Sequence, residues 1–181
     1  MSRALLAIAW GLALLAGPGL APKAAAQVAE SAAPEDPLAA ALAAALATVH
    51  DQYAPSAKPV REDVKQALAA EYGSELARAR YVVSRLAIRV LSAIDQFQGT
   101  SLGSGLHAMT VDDLILFSSE PSTADIWMWA HELHHVRQFR VLGGVDAFAA
   151  AYLRDCEAIE QEADDRANRA LATSIHPRHC L

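Results

Sequence analysis

What this chain has little of narrows it first. It holds only two cysteines, Cys156 and Cys180, and neither belongs to a Cys-x-x-Cys pair of the kind that binds zinc. In an oxidising compartment the two can pair, which would tie the C-terminal tail to the helix before it; otherwise they are two unpaired thiols, with Cys156 buried. Positive charge is also scarce. Against 21 Asp and Glu there are 15 Lys and Arg, a net charge of −6, and no nucleic-acid motif is present, so nucleic acid is not an expected partner. There is no Gly-rich phosphate loop. Long hydrophobic runs are missing as well: the N-terminal apolar stretch, Ala4 to Ala16, is too short to cross a bilayer comfortably.

That short run has a form of its own. Arg3 precedes it, Gly and Pro follow, and Ala24-Ala25-Ala26 offers a small-residue cleavage site before Gln27. The pattern predicts a signal peptide over 1–26, hence an exported protein, periplasmic or secreted, with no stable membrane span after cleavage. An uncleaved N-terminal anchor is the alternative. Residues 27–37, rich in Ala, Glu, Pro and Ser, read as a flexible linker. Residues 38–80 read as an N-terminal helical segment. It holds a helix from Leu38 to Tyr53, a second from Pro59 to about Tyr72 ended by Gly73, and a short third one after it. Were residues 27–60 an inhibitory segment, His50 is the one ligand they could offer.

Residues 81–175 read as a separate domain. Tyr81 to Leu91 is ambiguous between strand and helix, 93–97 looks helical and 99–105 is a loop. Met109–Val111 and Leu114–Phe117 read as two short strands, or one bent strand, around Asp112-Asp113. Residues 114–119 are either an edge able to pair with an extended peptide or an ordinary core strand. Residues 176–181 form a tail, with His176 and His179 expected at the surface.

The rest is organised around Trp129-Ala130-His131-Glu132-Leu133-His134-His135-Val136-Arg137-Gln138-Phe139. It contains His131-Glu132-x-x-His135, the H-E-x-x-H pattern of zinc hydrolases. Residues four apart share a helix face, so both imidazoles can meet one Zn2+ ion. Glu132, beside the first ligand, can take a proton from the water that the zinc activates. Ser122-x-x-Asp125 reads as a capping box and Gly143-Gly144 as a stop. Ile126, Trp129, Leu133 and Val136 line one side, while Met128, Phe139 and Leu142 flank the two histidines, so the helix looks covered on both sides. A second helical run, from about Asp146 to Leu171, carries Glu160-x-x-x-Asp164. Glu160 is the expected third ligand, with Glu162 and Glu157 as alternatives, and Asp164 can accept the free N–H of a ligand histidine. His134 reads as structural or as a neighbour to the site, His107 as a group near the cleft, and Tyr152 as a core aromatic rather than an oxyanion donor.

These residues carry a resemblance. Ala130-His131-Glu132-Leu133-His134-His135-Val136-Arg137-Gln138, with Glu160-Gln161-Glu162-Ala163-Asp164 downstream and Ala108 to Phe117 before it, is similar to the gluzincin type of metallopeptidase. More narrowly, it resembles the core domain of extracellular contractile injection systems, over about residues 80 to 172. The resemblance implies zinc and peptide-bond hydrolysis. The expected fold is α+β, mostly helical and zincin-like, with a short sheet before the H-E-x-x-H helix and a ligand-bearing helix after it. The expected function is an exported zinc metallopeptidase acting on a peptide or protein substrate. The alternative is a catalytically silent, zinc-stabilised binding domain.

Overall fold

Asp36-Pro37 opens the first helix, because the Asp36 carboxylate accepts from Leu38 N at 3.0 Å and Pro37 stands where no N–H is needed. Helix α1 (Pro37–Tyr53) buries a stripe of Ala39, Ala43, Leu46 and Val49 at helical spacing. The structure, a computed structural model, describes residues 36–89 and 107–175. The expected signal peptide, the linker up to residue 35, the helix at 93–97, the loop at 99–105 and the tail with His176, His179 and Cys180 lie outside the described residues.

Helix α2 (Glu62–Leu76) carries Glu62 and Asp63 in its first turn, where they favour the helix dipole. The expected break is present: Tyr72 leaves helical geometry (φ −120°, ψ 23°) just before Gly73, and a short helical piece follows it to Leu76. The expected start at Pro59 is corrected, because Pro59 pairs with Arg80 in a strand and the helix begins at Glu62. The piece after the kink buries Glu75 and Leu76.

Four short strands form one mixed sheet in the order β1-β2-β4-β3: β1 (Lys58–Pro59), β2 (Arg80–Val83), β3 (Ala108–Val111) and β4 (Leu114–Phe117). A helical stretch, α3, follows β2 and is described over 85–89. β3 and β4 pair antiparallel around Asp112-Asp113, with Asp112 at φ 54°, while β2 and β4 pair parallel, Arg80 opposite Leu114. All four β4 residues are buried. Residues 114–117 therefore form a central strand, not an edge. Their unbroken apolar run has no polar face because both sides are covered.

The capping box forms: Ser122 Oγ accepts from Ala124 N at 3.1 Å and the Asp125 carboxylate accepts from Ser122 N at 2.7 Å. It closes a 3₁₀ turn (Thr123–Asp125), from which α4 (Ile126–Leu142) runs on until Gly143 turns left-handed at φ 108°. The single run expected to Leu171 is two helices, α5 (Val145–Arg154) and α6 (Cys156–Leu171). Asp155 divides them (φ −157°, ψ 73°), its side chain accepting from Ala158 N at 3.0 Å. A short polar side chain that can cap competes with helix continuation, and here the cap wins. Cys156 is buried and disulfide-bonded.

The core lies on both flanks of α4. Trp129 packs at 5.2 Å from the Tyr81 ring and 4.6 Å from Phe117, while Phe139 stacks on Phe148 of α5 at 3.8 Å. Each such aromatic pair adds about 0.5–1.5 kcal/mol beyond its area burial. Glu75, on α2, accepts from Arg137 Nε at 3.0 Å and from Arg140 at 2.9 Å, which pins α2 to α4. The architecture is α+β and mostly helical, and no helix among the described residues is long and apolar enough to cross a membrane.

Candidate metal centre

A helix with six polar residues in a row of eight would ordinarily expose them, yet only Arg137 among the six is not buried. On α4, His131, Glu132, His134, His135 and Gln138 are all buried. Buried polar groups need partners, and α6 supplies them. It brings Glu160 and Asp164 to the two histidines of the motif. His131 Nε2 and His135 Nε2 are 3.0 Å apart, and Glu160 Oε2 lies 3.2 Å from the first and 3.5 Å from the second. Zinc bonds of about 2.0–2.1 Å in a tetrahedron place donors about 3.3–3.4 Å apart. The triangle has the size of one face of such a site. His131, His135 and Glu160 thus form a buried group able to hold a metal ion.

The outer nitrogens decide which way the inner ones face. His131 Nδ1 lies 2.9 Å from Asp164 Oδ1, and His135 Nδ1 lies 2.8 Å from Gln138 Oε1. Both partners accept, so both imidazoles carry their hydrogen on Nδ1 and turn an Nε2 lone pair inward. Two lone pairs and a carboxylate oxygen converge with little water around them. Such a cluster requires positive charge at its centre.

In the metal-free chain protons meet that requirement. Burial works to lower the His131 pKa, but Asp164, Glu160 and the Glu132 charge outweigh it and raise it to about 10. His135 is raised in the same way by Glu160 against its own burial. Burial would raise Glu160, yet His135 and His131 hold it well below the usual carboxylate range. A base with a raised folded pKa contributes stability that is full below its unfolded value and is lost as pH rises through the folded one. With a chelator present, the urea-unfolding gap between the native chain and Asp164→Asn is expected to be widest near pH 6, closing towards pH 10. A gap independent of pH would show that Asp164 does not act through the His131 proton.

The other expected residues fall into place around this group. Glu132 is buried, and the Thr110 hydroxyl of β3 lies 2.7 Å from its Oε2. His134 is buried on the same helix, 3.4 Å from Glu162, and burial pushes its pKa down to about 4. Glu162, one alternative ligand, instead accepts from Gln138 Nε2 at 2.8 Å, and Glu157, the other, is exposed. Tyr152 stacks on Phe148 at 5.7 Å as a core aromatic. His107 is exposed, and His50 bonds Asp113 at 2.9 Å, so it is tied to the β3–β4 turn. Three side chains at the site were not anticipated. Trp127 stacks on the His131 ring at 5.3 Å while its indole N–H donates to Asn168 at 2.9 Å. Gln138 sits on His135, and its spacing of three from that residue on one helix was the available signal; Thr110, on a strand, offered none.

No protein family model, curated protein or solved structure matches this chain, so the reading of the site rests on its own geometry.

Proposed function

We propose that this chain is an exported zinc metallopeptidase whose metal is held by His131, His135 and Glu160. The observation that carries the proposal is the convergence of two Nε2 lone pairs and Glu160 Oε2 in one buried triangle. Two nitrogens and one carboxylate oxygen are a donor set suited to zinc, and three protein ligands leave a position open. Zinc, when bound, supplies Lewis acidity that lowers the pKa of water and polarises a carbonyl.

The remaining work belongs to the chain. Asp164 and Gln138 orient the two imidazoles. Glu132 is the general base: its carboxylate takes a proton from the attacking water and returns it to the leaving amine. Thr110 holds Glu132 Oε2 from the neighbouring strand. Among the described strands β3 is paired on one side only, by β4, so its other edge is where an extended peptide substrate would add. The zincin-like fold and the likeness to contractile injection system core domains belong to this same reading.

That Thr110 contact also favours a second reading, a zinc-stabilised binding domain in which Glu132 is a structural acceptor. One experiment separates the two. Mass spectrometry of the purified chain supplied with zinc is expected to give one zinc per chain, lost in His135→Ala. Glu132→Gln is expected to keep the zinc and lose hydrolysis of a mixed peptide library. A chain that takes up no zinc sinks both readings; hydrolysis surviving in Glu132→Gln sinks the general-base role.

A further inference from the structure

We infer that Gln138 is a positioning residue for the metal site: oriented by α6, it locks His135 with a hydrogen on Nδ1 and so aims the Nε2 lone pair at the shared ion. The inference rests on the proposed metal reading and goes beyond it in naming what sets the second histidine.

The argument is one of donors and acceptors. An amide side chain can present either its oxygen or its NH2 group, and the surrounding network decides which. Gln138 Nε2 lies 3.0 Å from the Ile159 carbonyl and 2.8 Å from Glu162 Oε2. Both are acceptors and neither can donate, so the NH2 group must face α6. That leaves Oε1 towards His135 Nδ1, at 2.8 Å. An amide oxygen only accepts. His135 Nδ1 must therefore carry the hydrogen.

Without such a partner a neutral imidazole is free to move its hydrogen to Nε2, which would then block the metal-binding atom. Glu162, with its side chain 59% exposed, meets the amide through Oε2, and its other oxygen lies 3.4 Å from His134 Nε2. Helix α6 thereby does three things for the site. It provides Glu160, it fixes His131 directly through Asp164, and it fixes His135 through the amide of Gln138. The two histidines share one helix, yet the orientation of each is set by another.

The test uses the full chain and two variants. Gln138→Leu keeps roughly the volume and removes the acceptor. The double variant Gln138→Glu with Glu162→Gln exchanges carboxylate and amide, so that position 138 still accepts from His135 and position 162 now donates, with only the donation to the Ile159 carbonyl lost. Zinc affinity, read by competition with a chromophoric chelator, is expected to fall about 10–100-fold in Gln138→Leu. In the double variant it should return to within a few-fold of the native value, and circular dichroism should match the native chain in both. A side chain that only filled space would give the opposite order, with Leu harmless and the exchange costly. A second measurement does not depend on metal. In the metal-free chain, ¹H–¹⁵N NMR is expected to show a protected His135 Nδ1–H on either side of its titration, lost in Gln138→Leu. Native zinc affinity in Gln138→Leu, or a native His135 that keeps its hydrogen on Nε2 alone, overturns the inference. Failure of the native chain to bind zinc while the Nδ1–H remains protected would sink the metal reading and leave the lock standing.

Discussion

Saturating zinc is expected to raise the melting temperature of this chain by about 8–16 °C, and Glu160→Gln is expected to remove most of that rise. A ligand that binds only the folded state at 1,000 times its dissociation constant adds about 4 kcal/mol. For a domain of this size each kcal/mol is worth about 2–4 °C. Glu160 is the one anionic donor in the triangle, and its contacts with both imidazoles run through the same oxygen. Glutamine keeps the shape and discards the charge. It also offers an NH2 group that has no acceptor role towards a cation. Loss of a direct ligand should exceed the roughly 100-fold ceiling expected for an outer partner. Differential scanning calorimetry with zinc and with a chelator reads the effect. A zinc-dependent shift in Glu160→Gln equal to that of the native chain would move the third ligand elsewhere.

The second large effect is on folding rather than on metal. Glu75→Ala is expected to destabilise the metal-free chain by about 3 kcal/mol, lowering its melting temperature by about 6–12 °C. The Glu75 side chain is 1% exposed and accepts from Arg137 and Arg140, so its removal strands two guanidinium groups. Arg137 lies 5.8 Å over the Tyr72 ring and keeps the Glu71 carbonyl at 3.2 Å. Arg140 is 45% exposed and can turn to water. These outlets place the expected loss at the lower end of the range for a broken buried pair. Glu75→Gln, which retains acceptor capacity, should lose less. Zinc affinity should change little in either, because the network lies on the side of α4 facing α2. A melting temperature within about 2 °C of the native chain would show that the arginines rehydrate without cost, since each kcal/mol is worth about 2–4 °C.

The site was more legible than the fold. His131 and His135 come together because they share a helix face, which spacing carries. For the third residue spacing favoured Glu160 but left Glu162 and Glu157 open, until Glu162 was found on Gln138 and Glu157 exposed. Asp164 reaches His131 for the same reason, one turn beyond Glu160. Strand pairing was harder. Leu114 to Phe117 reads the same as an edge or a centre until its neighbours are known, and its parallel partner, Arg80 to Val83, lies far away in sequence. The break at Asp155 turns on one side chain capping Ala158, a local competition that helix periodicity does not register. The break at Tyr72 was legible from the glycine that follows it, whereas the start of that helix was not, because Pro59 is drawn into a strand by Arg80, a residue distant in sequence.

The donor triangle has one more consequence, which concerns which ion a cell would find in it. Imidazole and carboxylate donors bind copper more tightly than zinc by the ordinary ranking of divalent ions, so affinity alone would not select zinc. Angle selects where affinity does not. Ligands at right angles, as copper(II) and nickel(II) prefer, stand about 2.8–2.9 Å apart for bonds near 2 Å, whereas a tetrahedron spreads them wider. The two edges to Glu160, 3.2 and 3.5 Å, exceed the right-angle value, while the His131–His135 edge of 3.0 Å lies close to it. Both histidines ride on a single helix, so their edge is set within α4, while the two edges to Glu160 depend on how α6 packs against it. For an ion held in this triangle, the packing of α4 on α6 would set the two angles that include Glu160, and both edges are wider than right-angle ligands need.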